Sequence, residues 1–129
     1  MKNIFKTGDE KMISFQVGEE DIASFHGQVV HSVCSTFSLA REIEWATRQF
    51  VLEMRDADEE GVGTFISVDH KRPAFVGEEV TIVSKIDTIN GNELICSYTA
   101  FVKDRIVATG KTGQKIFKRE KLATLLSKP

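Results

Sequence analysis

A chain of 129 residues, 41% of them hydrophobic, has material for one sizeable core, so a single domain is expected. Its 17 lysines and arginines stand against 19 acids, a balance without the field used in nonspecific binding to nucleic acid or membrane, and neither partner is expected. Residues 1–6 lead into Thr7, Gly8, Asp9 and Glu10 rather than an apolar stretch, and no apolar run approaches the roughly 18 residues of a membrane span, which points to a cytoplasmic protein.

Residues 12–17 alternate, with Ile13, Phe15 and Val17 on one face, the pattern of a first strand. Residues 22–35 mix Phe25, Val29 and Val30 with Gly27, His26 and His31 and show no clean period; an irregular or partly helical covering segment is expected. From 39 to 54, Leu39, Ala40, Ile43, Ala46, Thr47, Phe50, Val51 and Met54 recur every three or four residues, as on one face of a long helix. The charged run 55–60 and the following Gly61 and Gly63 read as its stop signal. Four strand-like stretches follow, at 64–70, 79–89, 93–103 and 106–117. Asn90-Gly91 marks a hairpin turn, because both residues tolerate positive φ, and residues 103–105 mark the next tight connection. Residues 118–127 read as a short basic helix. One helix wrapped by a mainly antiparallel sheet of about five strands is the α+β hotdog arrangement, which buries one face of each element.

Three residues stand out chemically. At about 100° per residue Glu44 falls beside Ala40 and Val51 on the flank of the apolar helix face, while Glu42 and Glu53 fall on the solvent side. A carboxylate at such a boundary is partly desolvated, which suits it to acid, base or nucleophilic work; the alternative is a boundary glutamate that reaches out to water or pairs with Arg48, four residues on. His70 ends a strand just before Lys71-Arg72-Pro73, where it either meets a substrate and moves a proton or sits in a charged corner. Thr36 lies among Ser35, Phe37 and Ser38, where a helix cap is expected. Eight residues of helix rise about 12 Å, so Thr36 and Glu44 cannot touch along one straight helix. They share a site only if Thr36 lies in the preceding loop, or if they act across two chains or through a substrate.

Other features carry less. Gly110-Lys111-Thr112 imitates the end of a P-loop, but Arg105 stands where the first glycine belongs and the stretch reads as strand. His26 and His31 have no placed partners for a metal, and no metal or cofactor is expected. Cys34 and Cys96 lack paired spacing and read as reduced, buried thiols. Trp45 points away from the apolar face, towards a lid, a subunit contact or ordinary packing.

Thr36, then Glu44-Trp45-Ala46, then Gly63-Thr64 and Val68-Asp69-His70 resemble the fluoroacetyl-CoA thioesterase family of hotdog proteins, over roughly residues 30–117. The resemblance implies hydrolysis of a small acyl-CoA thioester between two subunits of a homodimer, with Thr36, Glu44 and His70 as the catalytic set. It makes Glu44 the carboxylate that attacks the thioester or activates a water, and the Gly63 N–H a donor to the thioester oxygen. Phe37 joins Gly63 as a substrate contact. Lys71 and Arg72 are placed to meet the CoA phosphates, a solvated basic corner being the alternative. Two features depart from the family pattern: Phe25, Val29 and Val30 replace closely spaced phenylalanines, and Gln114 stands where an arginine is expected. These departures leave a general short-chain or aromatic acyl group open beside fluoroacetyl. A non-catalytic acyl-CoA binding protein of the same fold is the alternative function.

Overall fold

The computed structural model describes residues 1–129. In chain order it contains β1 (Glu10–Gln16), one 3-10 turn (Glu19–Asp21), β2 (Ile22–Phe25), β3 (Gln28–Cys34), α1 (Thr36–Met54), β4 (Glu59–Ile66), β5 (Asp69–His70), β6 (Glu79–Asn90), β7 (Glu93–Val102), β8 (Arg105–Lys118) and α2 (Arg119–Leu125). The main sheet runs β1-β6-β7-β8-β4, antiparallel throughout, with the two-residue β5 added to β8; β2 and β3 pair separately as a hairpin.

β6 and β7 alternate along their length, and the alternation aims one face at α1; β8 is buried in runs, at Val107-Ala108 and Thr112-Gly113-Gln114. Val80, Ile82 and Ile86 from β6 and Leu94, Cys96, Tyr98 and Ala100 from β7 are buried. They meet Leu39, Ile43, Ala46, Phe50, Val51 and Met54, the apolar stripe of the helix, in two adjoining clusters under its two halves. Each fully buried side chain of this size contributes about 1.5–3 kcal/mol. The helix therefore lies across the sheet as the α+β hotdog arrangement requires.

Several boundaries differ from the sequence expectation, each for a local reason. Residues 22–34 form a β-hairpin, not an irregular or helical cover. Most of its side chains are exposed, so no buried face imposed an alternation to read. Its turn is His26-Gly27, with φ of 52° and 80°, the two positive values that a type I′ turn needs. The helix begins at Thr36 because Ser35 caps it, accepting the Ser38 N–H at 3.0 Å. Gly61 and Gly63 lie inside β4, which starts at Glu59, rather than in a connecting loop. The expected strand 64–70 breaks into β4 and β5 at Ser67-Val68. The β6–β7 turn consists of Gly91 and Asn92, one residue later than expected, and of these Gly91 alone has a positive φ, at 62°. The P-loop imitation lies within β8.

Candidate active site

With Ser35 serving as cap, the Thr36 hydroxyl is free for another partner, and it lies 2.8 Å from His70 Nε2. His70 reaches it from β5, which pairs Asp69 with Thr109 and His70 with Ala108 of β8. The jog that sends the chain from β4 to β5 is pinned at Ser67. Its N–H donates to Lys111 O at 2.9 Å, its Oγ accepts the Lys111 N–H at 2.9 Å, and its carbonyl accepts the Tyr98 hydroxyl at 2.7 Å. Burial and then the nearby Asp69 push the Tyr98 phenol up to about 12, which keeps this donor protonated. Gly110 makes room for the jog: a Cβ there would stand 2.1 Å from the Ser67 carbonyl oxygen.

Glu44 stands apart from this pair. Both Thr36 and Glu44 belong to α1, so about 12 Å of helix separates them within one chain. Glu44 is exposed rather than half-desolvated, whereas Glu42, expected on the solvent side, is partly covered and paired with Arg41 at 3.5 Å. Of the two alternatives Glu44 reaches water and does not pair with Arg48, because Arg48 binds Glu60 at 2.8 Å. Glu44 instead faces β4, its Oε1 lying 3.9 Å from where a methyl on Gly63 would be.

The anticipated residues divide among three cavities. Thr36 and Phe37 line one of about 590 Å³ beneath the β2–β3 hairpin, together with Phe25, His26 and His31. His70, Lys71 and Arg72 line another of about 260 Å³ with Cys34, Leu39 and Val107. The Thr36–His70 hydrogen bond joins those two. Glu44 and Gly63 line a third, of about 100 Å³, with Thr47, Arg48, Phe65, Thr112, Gly113 and Gln114. Lys71 is already paired with Asp69 at 2.6 Å, and Arg72 is exposed without an ion pair.

Two residues outside the candidate set, Gln114 and Thr112, shape the third cavity, and of these only Gln114 stood out in the sequence, as a departure from the family pattern. Gln114 is buried and donates from Nε2 to Thr47 O at 3.1 Å, linking β8 to the helix just below Glu44. Thr112, two residues earlier and on the same face, is buried with no protein partner for its hydroxyl. Their signal in the sequence is a Thr-Gly-Gln run where β8 should be apolar. Cys34, a free half-buried thiol, is pushed up to about 11 by burial and then by Asp21, so it is a neutral wall rather than a nucleophile. No group of three or more His, Cys, Asp or Glu side chains is placed to hold a metal, and no helix is long and apolar enough to cross a membrane.

An antiparallel sheet wrapped on one long helix defines a hotdog-fold protein. A thioesterase superfamily member from Thermus thermophilus is 25% identical, with a TM-score of 0.90 over 95% of this chain and 91% of that one. A point mutant of the fluoroacetyl-CoA-specific thioesterase FlK superposes with a TM-score of 0.88 at 19% identity, over 97% of both chains. A hot-dog-like protein from Thermanaerovibrio acidaminovorans gives 0.84 at 18% identity, over 97% of this chain and 96% of that one. No curated protein matches the sequence. The family described as fluoroacetyl-CoA-specific thioesterase matches residues 17–120, and the chain belongs to it. It is an acyl-CoA thioesterase.

Proposed function

We propose that the protein hydrolyses a small acyl-CoA thioester to the free acid and CoA at a site shared by two copies in a cytoplasmic homodimer. Thr36 and His70 come from one copy, and Glu44 and Gly63 from the other. The observation that carries this reading is the 2.8 Å contact between Thr36 and His70 within one chain, while Glu44 lies about 12 Å along the same helix. Glu44 and the Thr36–His70 pair meet most directly when two chains are set edge to edge. The outer edge of β4, which carries Gly63, Thr64 and Phe65, has no partner strand. Large apolar side chains are left exposed in a single chain, with Phe37 83%, Trp45 50% and Phe65 46% exposed, as a subunit contact would use.

In this site Glu44 takes a proton from a water whose oxygen attacks the thioester carbon. The Gly63 N–H donates to the developing oxyanion. As the C–S bond breaks, His70, oriented by Thr36, delivers a proton to the departing CoA sulfur. The small cavity beside Glu44 favours water activation over direct attack, since about 100 Å³ admits a few water molecules. Lys71 and Arg72 meet the CoA phosphates, and Phe37 flanks the acyl group. An apolar cavity of about 150 Å³ suffices for benzene, so the space of about 590 Å³ next to Thr36 accepts short, branched and aromatic acyl groups.

A panel of short, branched and aromatic acyl-CoA substrates, followed by thiol release, tests the reading; inactivity across the panel sinks it. Glu44→Ala is expected to lose about 10²- to 10⁴-fold in kcat while remaining folded. Normal turnover by that variant removes Glu44 from the mechanism.

A further inference from the structure

We propose that Glu60 is a positioning residue, which keeps the Glu44 carboxylate free by holding Arg48 away from it. This rests on Glu44 being the reacting carboxylate. Glu44 and Arg48 are four residues apart on α1, with the acid on the N-terminal side, which is the favourable arrangement for an ion pair on a helix. Left alone, the two would pair.

The structure shows a different allegiance. Arg48 donates to Glu60 Oε1 at 2.8 Å, the same oxygen accepts the Gly61 N–H at 2.8 Å, and Arg55 donates to Oε2 at 2.6 Å. Three donors converge on Glu60 from α1, the residue just past its end, and β4. The Glu60 side chain is 26% exposed, against an open Glu44, so the guanidinium gains more from the better-shielded carboxylate.

The cavity around Glu44 offers it no other charge. Arg48 is the only cation lining it; β4 contributes Gly63 and Phe65, and β8 contributes Thr112, Gly113 and Gln114. Whether Glu44 is free or paired therefore depends on which carboxylate holds Arg48. A guanidinium bound to Glu44 favours its ionised form and occupies the oxygen that must take a proton, weakening it as a base.

Glu60→Gln tests this. With Arg48 released, kcat is expected to fall about fivefold at little change in KM, and the acid limb of the pH–rate profile to move down by about half a pH unit. Adding Arg48→Met in the same chain should return kcat and the profile to those of Arg48→Met alone. A merely structural strap lowers the melting temperature of Glu60→Gln, leaves the profile in place and gives no rescue, and that result overturns the proposal. If Glu60→Gln does not fold, Glu60→Asp keeps the charge but withdraws it from Arg48, and it is expected to show the same kinetic shift and the same rescue. Glu44→Ala separates the two readings. Full activity there ends both, whereas an inactive Glu44→Ala beside a Glu60→Gln enzyme of normal rate and pH profile ends only this one.

Discussion

Replacing Gly110 by alanine reaches the candidate site from the strand beneath it. The added Cβ would stand 2.1 Å from the Ser67 carbonyl oxygen and 2.8 Å from the Tyr98 hydroxyl. Tightly packed groups have no slack for this, and ordinary contact demands that Ser67 retreat by roughly 1 Å. Retreat breaks the 2.7 Å bond from Tyr98, at about 1–3 kcal/mol for a buried partner left unpaired. Overpacking strain adds about 1–3 kcal/mol more. A loss near 4 kcal/mol is expected, a large share of the ~5–15 kcal/mol of a typical domain. The displacement also passes to β5 three residues later, and a shift of about 1 Å in His70 away from Thr36 costs roughly 10²-fold in kcat. Urea titration and steady-state turnover read the two effects. Tyr98→Phe removes the same hydrogen bond without the clash, so the difference between the variants isolates the steric part. A Gly110→Ala protein within about 0.5 kcal/mol of the parent and with kcat within about twofold refutes the reasoning.

Gly63→Ala is the counterpart: nothing lies closer than 3.9 Å to the new methyl, so stability should change by less than about 0.5 kcal/mol while turnover drops as the gap to Glu44 narrows. Matched melting curves with unequal kcat/KM would bear this out. Burial lifts the Glu60 carboxyl, but the Gly61 N–H, Arg48 and Arg55 outweigh it and hold it at about 2, below its ordinary 4.5. Because the folded value is the lower one, this stabilisation is complete above about pH 5 and is lost as pH falls towards 2. Stability of the parent should decline over that window by of the order of 2 kcal/mol more than that of Glu60→Gln, measured by urea melts at several pH values. Burial sets Cys34 at about 11 and, with Asp87 adding to it, Cys96 at about 12, so a thiol reagent at pH 8 should titrate neither promptly in the native protein and both in denaturant.

What the sequence disclosed follows from how each element is buried. The long helix and β6 and β7 each press one face on a shared core, and that one-sided burial writes the 3.6- and 2-residue periods into the chain. The β2–β3 hairpin presses no such face inward, so its strands left no period, and only Gly27 after His26 hinted at the turn. The break at Ser67 was invisible because it depends on Tyr98, Gly110 and Lys111, residues 31 to 44 positions away. Helix geometry alone did separate Thr36 from Glu44, and the structure sharpened the point once Ser35 proved to be the cap. The fate of Arg48 was not legible, since periodicity places neighbours on one helix and says nothing of Glu60 arriving from β4.

The hairpin that roofs the largest cavity shares no sheet with the scaffold. It is tied down near Cys34 and Ser35, by the Val33–Phe75 bridge, by Cys34 N–H to Ala74 O and by Ser35 N–H to Asp21 O, both hydrogen bonds at 2.8 Å. Insertions or exchanges between residues 23 and 31 therefore leave the register of the five long strands untouched. The wall of that cavity can thus be rebuilt through one short cassette, while the pairing of β5 with β8 and the Ser35 cap hold His70 and Thr36 where they are.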